Sequence, residues 1–229
     1  MSEHKIINTR KRMPLLPVLI AYTVIFYGIW TAWELWAKPF INVSVENEYL
    51  SQLIKSGVVK NLVWTLPALL LADHFKTEMY VGVKEMFTTK VNILRYLLIF
   101  LAFTVYLLGG AFLQKGRLAI SETFGVDKLI TVLFVGITEE AVFRGWLLNS
   151  MLGEKKKWVP VLVTSVMFLL IHFPVWIHDG VFIDNFRNFS FLSPFVLGII
   201  WGWTFIKSKN IWIPVSLHMY WDLMIFLFY

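Results

Sequence analysis

The sequence predicts an all-α protein: a polytopic transmembrane helical bundle of about seven spans, six to eight depending on how residues 57–91 are counted. Three observations carry that reading. Of 229 residues, 58% are hydrophobic and only 16% charged, with a mean hydropathy of +0.66, whereas average soluble chains are about 45–50% apolar and about 25% charged. Fifteen acids and twenty-one Lys and Arg are too few to cover a core of this size unless lipid does the covering. The apolar residues also fall into repeated runs approaching the roughly 20 residues a spanning helix needs.

In chain order the runs are 14–37, 57–72, 92–113, 129–152, 158–178, 192–206 and 211–229. The first is too long, and too poor in a small-residue cleavage site, for a simple signal peptide. The second is short, and it or the following segment 73–91 has room for a re-entrant or interfacial helix. The third and fourth are of full spanning length, although the fourth contains charges. The fifth holds a histidine. The sixth is short and contains Gly198-x-x-x-Gly202, a pattern expected to let helices pack closely. The seventh reaches Tyr229. Connections are short and no internal repeat occurs, so residues 1–229 read as one integral membrane domain, with the chemistry-bearing motifs in 129–229.

Absence of cysteine removes thiolate metal sites, cysteine nucleophiles and disulfide scaffolds. The +6 net charge is a matter of topology rather than nucleic-acid binding. Lys5, Arg10, Lys11, Arg12, Lys76, Lys84, Lys90, Arg95, Lys155, Lys156, Lys157, Lys207 and Lys209 fall on one side of the expected spans. Lys38, Lys55, Lys60, Lys115, Arg117, Lys128 and Arg187 fall on the other. The richer side is the cytoplasmic one, so the N-terminus is expected inside and, with an odd number of spans, the C-terminus outside. Trp30, Trp33, Trp36, Trp201 and Trp203 lie near span ends and are expected to form an interfacial aromatic belt.

The informative residues are ionisable groups within apolar runs, where a charge costs about 2.5–3.5 kcal/mol at a helix centre. Glu139, Glu140 and Arg144 stand in the fourth run, His172 in the fifth, and His218 and Asp222 in the seventh. Glu140 and Arg144, four apart, are separated by about 40° around a helix and are expected to pair as a structural clamp. Glu139 points about 100° away from Glu140 and needs a partner from another helix. His218 and Asp222 share a face. His172 has no ionisable neighbour one turn away, and the simplest economy brings Glu139, His172, His218 and Asp222 into one polar cavity. A carboxylate beside imidazoles in a water-poor cavity is suited to activating water, and a second imidazole to donating to an oxyanion. Glu34, near the end of the first run, is expected to pair locally or reach the interface; His4, His74 and His178 are placed outside the site. Pro174 and Pro214 flank the histidine segments and are expected to kink them. Absence of His-Glu-x-x-His, Gly-x-Ser-x-Gly and Gly-x-Gly-Asp excludes those routes to intramembrane proteolysis.

Glu139-Glu140-x-x-x-Arg144, then Phe168-x-x-x-His172, then His218-x-x-x-Asp222, in this order on separate apolar runs, resembles the CPBP family. These are CAAX-processing and bacteriocin-processing (Abi) intramembrane endopeptidases, related to the type II CAAX prenyl endopeptidase. The likeness covers about 137–222, including Lys209-Asn210-Ile211-Trp212 leading into His218. It implies that Glu139 and His172 activate water, that His218 stabilises the oxyanion, and that Glu140 and Arg144 support them. Asp222 stands where the family often has Asn. An ionised Asp would repel an oxyanion, so it is protonated, orients His218, or ligates a metal. No cofactor is expected, although Glu139, His172, His218 and Asp222 also make up a donor set for zinc, and that alternative stays open.

The implied function is hydrolysis of a peptide bond in a membrane-associated or lipid-anchored peptide, in bacteriocin or signalling-peptide maturation or in self-immunity. Implied partners are membrane lipid and a membrane-associated peptide or protein, with no nucleic acid, in a bacterial plasma membrane. The alternative is a non-catalytic membrane scaffold that binds a partner such as a sensor kinase or cell-wall enzyme. A small transporter would need matching halves, which the sequence lacks.

Overall fold

Turn and cap residues set the helix limits in the computed structural model, which describes residues 14–153 and 156–229. Lys5, Arg10, Lys11, Arg12 and Lys155, which enter the charge count, and His4 lie outside the described residues. Helix α1 (Leu15–Ser44) follows extended Pro14. Helix α2 (Glu48–His74) starts at Asn47, whose Oδ1 accepts the Leu50 N–H at 2.9 Å and satisfies one of the free donors of the first turn. The short α3 (Val83–Thr88) is followed by α4 (Ile93–Lys115), which is capped by Asn92 and ends at Gly116 with φ +68°, a conformation glycine adopts without strain. Then come α5 (126–151), α6 (Trp158–His178, interrupted at Ile171 and His172), α7 (Phe182–Arg187), α8 (Leu192–Ser208) and α9 (Trp212–Phe228). The described residues contain no strand.

Each of the seven apolar runs corresponds to one long helix. Of these, α1, α2, α4 and α6 are long and apolar enough to cross a membrane, while α8 and α9 are apolar but only 17 residues each. Helix α5 is long and interrupted by Asp127, Lys128, Glu139, Glu140 and Arg144. Large apolar side chains face outward along α1 and α4, including Val24, Val43, Leu98 and Leu113; such surfaces are tolerated where lipid is the solvent. The chain is an integral membrane protein.

Helix α2 starts at Glu48, well before the expected run at 57. A polar stripe, Gln52 and Ser56 in the added turns and Lys60 one turn on, at i+4 spacing, interrupts the apolar signal while facing the protein interior. Ser56 and Lys60 are buried, and Gln52 Nε2 donates to Ser56 Oγ at 2.7 Å. The 73–91 segment contributes only α3.

Three glycine contacts set the packing of the helices around the ionisable groups. A Cβ on Gly136 would stand 2.8 Å from Met219 Cγ, so the absence of a side chain lets α9 lie on α5. A Cβ on Gly198 would stand 3.0 Å from Ser165 Cα, and one on Gly202 3.4 Å from Val161 Cγ1, so α8 packs closely on α6 as the small-residue spacing predicts. Lys209, left-handed at φ +51°, ends α8, and Asn210 Oδ1 accepts the Trp212 N–H at 2.7 Å. That three-residue reversal sends the chain directly into α9.

The expected aromatic belt is corrected in part. Trp36 is exposed, but Trp30, Trp33 and Trp201 are core residues. Their helices pack against one another at these positions, and the rings fill the interior: Trp30 and Trp33 each meet Trp64 edge to face, and Phe143 meets both Phe26 and Phe168. Pro214 also departs from expectation. It lies in the first turn of α9, where a missing N–H costs little, and starts the helix rather than kinking it. Pro174 occupies the corresponding place where α6 resumes at Phe173.

Candidate active site

Glu139 and Glu140 end the regular part of α5, and the next two turns, Ala141–Leu148, widen to π-helical spacing. Such widening inside a helix is frequent at functional sites. Adjacent on the helix, the two carboxylates serve different surroundings. Glu140 turns inward, where its Oε1 accepts from Arg144 Nη1 at 3.0 Å and faces His218 Nδ1 at 2.9 Å. Arg144 Nη2 donates to the Gly198 carbonyl at 3.0 Å. One carboxylate oxygen thus ties α5 to α9, and the guanidinium ties it to α8. Arg144 is also enclosed by the rings of Phe143, Phe168 and Trp201, with its guanidinium carbon 5.0 Å from the Phe168 centroid. The expected Glu140–Arg144 pair is present; the link to His218 is additional.

His218 is held between these contacts and the Trp201 ring, stacked at 4.1 Å and 16°. With Nδ1 engaged, its Nε2 lies 3.8 Å from Glu139 Oε2 and 3.5 Å from Asp222 Oδ2. Glu140, more than Asp222, therefore orients the ring. The i+4 spacing does put Asp222 and His218 on one face of α9, but Asp222 stands opposite the other nitrogen.

His172 occupies the break in α6. Its Nδ1 lies 2.9 Å from the Phe168 carbonyl. A carbonyl only accepts, so Nδ1 carries the hydrogen and the neutral ring offers Nε2 as an acceptor. Helix α1 supports the break: Tyr27 OH donates to the Met167 carbonyl at 2.6 Å and Trp30 Nε1 to the Ile171 carbonyl at 2.9 Å. These are carbonyls that an interrupted helix leaves without their usual partners.

Glu139 and His172 line one small cavity of about 100 Å³, together with Trp30, Glu34 and Lys60, room for a few water molecules at about 30 Å³ each. His218 Nε2 has Glu139 and Asp222 as neighbours, whereas His172 joins Glu139 only as a lining residue of this cavity. Glu34 pairs locally with Lys38 at 2.7 Å, as expected, yet it is buried and faces the same cavity. His178 is exposed, paired with Asp179 and apart from the site.

Lys60 is the residue that sequence reasoning misplaced. Counted with the basic residues outside a span, it is buried in α2, with its Nζ 4.7 Å from the Trp30 ring centroid. The signal available was its setting, Val58-Val59-Lys60-Asn61-Leu62-Val63, at the head of an apolar run. Among the described residues no three His, Cys, Asp or Glu side chains are grouped to hold a metal ion. The four candidate ligands therefore do not form a zinc site as they stand: Nε2 of His218 is flanked by two carboxylates, and His172 lies across the cavity from them.

Residues 121–224 match the family model of the type II CAAX prenyl endopeptidase Rce1-like proteins, and this segment contains every ionisable group of the site apart from Glu34, Lys38 and Lys60. No curated protein and no solved structure matches the chain. The match falls on the segment that carries the three motifs, and it is with the family they resemble.

Proposed function

We propose that the protein is an intramembrane endopeptidase in which Glu139 and His172 activate a water molecule for attack on a peptide carbonyl. The observation that carries this reading is the shared cavity with two acceptors in it, the Glu139 carboxylate and His172 Nε2. A water donating one hydrogen to each has its lone pairs free for an electrophilic carbon. Glu139 takes the proton as the water oxygen bonds to the carbonyl carbon, and the carbonyl electron pair moves onto oxygen. His218, with Nδ1–H directed at Glu140, donates to that oxyanion from Nε2 in its imidazolium form. The intermediate collapses by breaking the C–N bond, and the departing nitrogen takes the proton held by Glu139. Products are a carboxylate and an amine.

Glu140 and Arg144 are positioning residues, and Asp222 supports the imidazolium of His218 from its Nε2 side. In this reading the side chains perform the chemistry without a metal. The substrate strand must be unwound at the scissile bond, because a helical peptide bond is shielded and hydrogen-bonded. Membrane-associated or lipid-anchored peptides meet that requirement. Maturation of a bacteriocin or signalling peptide, or self-immunity, in a bacterial plasma membrane rests on the motif resemblance. In this reading the chain crosses seven times with its N-terminus cytoplasmic; the seven apolar runs and the distribution of Lys and Arg support it.

The test compares wild type with Glu139→Gln and His172→Ala in the membrane of a host that produces the peptide substrate. An endopeptidase loses product in both variants at normal membrane abundance. A scaffold keeps its phenotype and partner binding in both, and that result overturns the proposal.

A further inference from the structure

A second cavity, of about 400 Å³, adjoins the small one and shares Lys38, Lys60 and His172 with it. Its size falls within the roughly 300–1,000 Å³ of small-ligand sites. Four lysines line it, Lys38, Lys55, Lys60 and Lys128, beside neutral polar groups such as Gln52 and Ser56, and no carboxylate does. Two of the four ammonium groups are neutralised locally: Lys38 by Glu34 at 2.7 Å and Lys128 by Asp127 at 3.2 Å. The other two pair with no carboxylate, although Lys60 faces Glu34 and Glu139 across the small cavity. Lys55 Nζ donates to Asn42 Oδ1, a neutral partner, and Lys60 Nζ makes no hydrogen bond or ion pair among the described residues, only its contact with Trp30. The acids of this end, Glu46, Glu48, Glu122 and Asp127, line a separate outer cavity that the inner one meets at Lys55 and Lys128.

A buried ammonium without a counter-ion is costly. Three lysines arrive from α1 and α2, and the fourth from the start of α5, so no single helix pattern explains their meeting. We propose that this lysine-lined vestibule binds a carboxylate of the peptide substrate, placing the scissile carbonyl at Glu139 and His172. The inference deepens the endopeptidase reading and rests on it for the identity of the ligand. The carboxylate has two possible sources, the C-terminus of the peptide or an acidic side chain beside the scissile bond. Both present the same oxygen pair to Lys60 and Lys55.

The experiment measures binding, so that it stands apart from cleavage. Full-length His218→Gln protein, which keeps every charge lining the two cavities, is titrated in phosphatidylcholine nanodiscs with three probes: N-myristoyl-Gly-Gly-Val-Leu as the free acid, the same peptide as the C-terminal amide, and N-myristoyl-Gly-Asp-Val-Leu amide. The free acid is expected to bind about tenfold or more tighter than the Gly-Gly-Val-Leu amide, the worth of a charge-assisted contact. Tight binding of the Asp amide as well assigns the site to carboxylates generally; weak binding assigns it to the C-terminus. Lys60→Met is expected to remove the preference, Lys60→Arg to retain most of it, and Lys55→Gln, in a half-exposed position, to reduce it in a protein that folds normally.

Equal binding of acid and amide overturns the proposal. So does a preference that survives both Lys60→Met and Lys55→Gln, or one that disappears when anionic phosphatidylglycerol is added to the nanodisc, which would assign the lysines to lipid phosphate. Loss of the endopeptidase reading shows differently: Glu139→Gln would then remain fully active in cells whatever the probes do here.

Discussion

Glu140 Oε1 lies 2.9 Å from His218 Nδ1, joining the middle of α5 to the middle of α9 in a place where neither side chain meets solvent. The same oxygen accepts from Arg144, so one atom sets both the orientation of an imidazole and the position of a guanidinium. Glu140→Gln keeps the shape and removes the charge. Its expected effect is a fall in kcat with little change in KM, because the imidazolium of His218 loses the carboxylate opposite Nδ1. Measured thermal stability in detergent should fall far less than in Arg144→Met.

Arg144→Met leaves Glu140 buried without its cation and frees the Gly198 carbonyl. Breaking one side of a buried pair costs about 3–5 kcal/mol. The variant should therefore show reduced membrane abundance and a lowered Tm, along with lost activity. Normal abundance would contradict the clamp.

Much of this clamp is legible in the sequence, since four-residue spacing on a helix brings Glu140 and Arg144 together wherever the helix sits. The His218 link is not. It depends on the register of α9 against α5, which is set by the approach of Met219 to Gly136 and not by any spacing within one segment. The same limit explains Trp201: at a span end it reads as interfacial, and only the packing of α8 places it on His218. Lys60 was obscured for a different reason. The polar stripe of Gln52, Ser56 and Lys60 lowers the local hydropathy, so the start of α2 reads as a connection instead of a helix whose polar face looks inward.

Gly136→Val tests that register. The added side chain meets Met219 at the α5–α9 contact, and overpacking of this kind costs about 1–3 kcal/mol. Activity should drop more than stability, because His218 moves away from Glu139 and Glu140. Adding Met219→Ala to make space should restore part of the activity; no recovery in the double variant would contradict the proposed role of the contact.

Tyr27→Phe and Trp30→Phe each remove one donor from the carbonyls at the α6 break. Each loss is worth about 1 kcal/mol, and the two together should increase hydrogen exchange of the amides around residues 171–173. Exchange that is unchanged there would show that α1 does not hold the break in place.

The metal-free reading predicts that chelation is without effect. Purified protein treated with 1,10-phenanthroline should keep its peptidase rate, and added zinc should not raise it. A rate lost on chelation and restored by zinc would require Glu139, His172, His218 and Asp222 to regroup around a metal.

The central claim is that Glu139 and His172 hold one water for attack on a peptide bond. Its most direct test is hydrolysis of a lipidated peptide by purified protein in liposomes made up in ¹⁸O-labelled water, followed by mass spectrometry. The account predicts one ¹⁸O in the new carboxylate with wild type, and no product with folded Glu139→Gln or His172→Ala. Cleavage at the wild-type rate by either variant would contradict it.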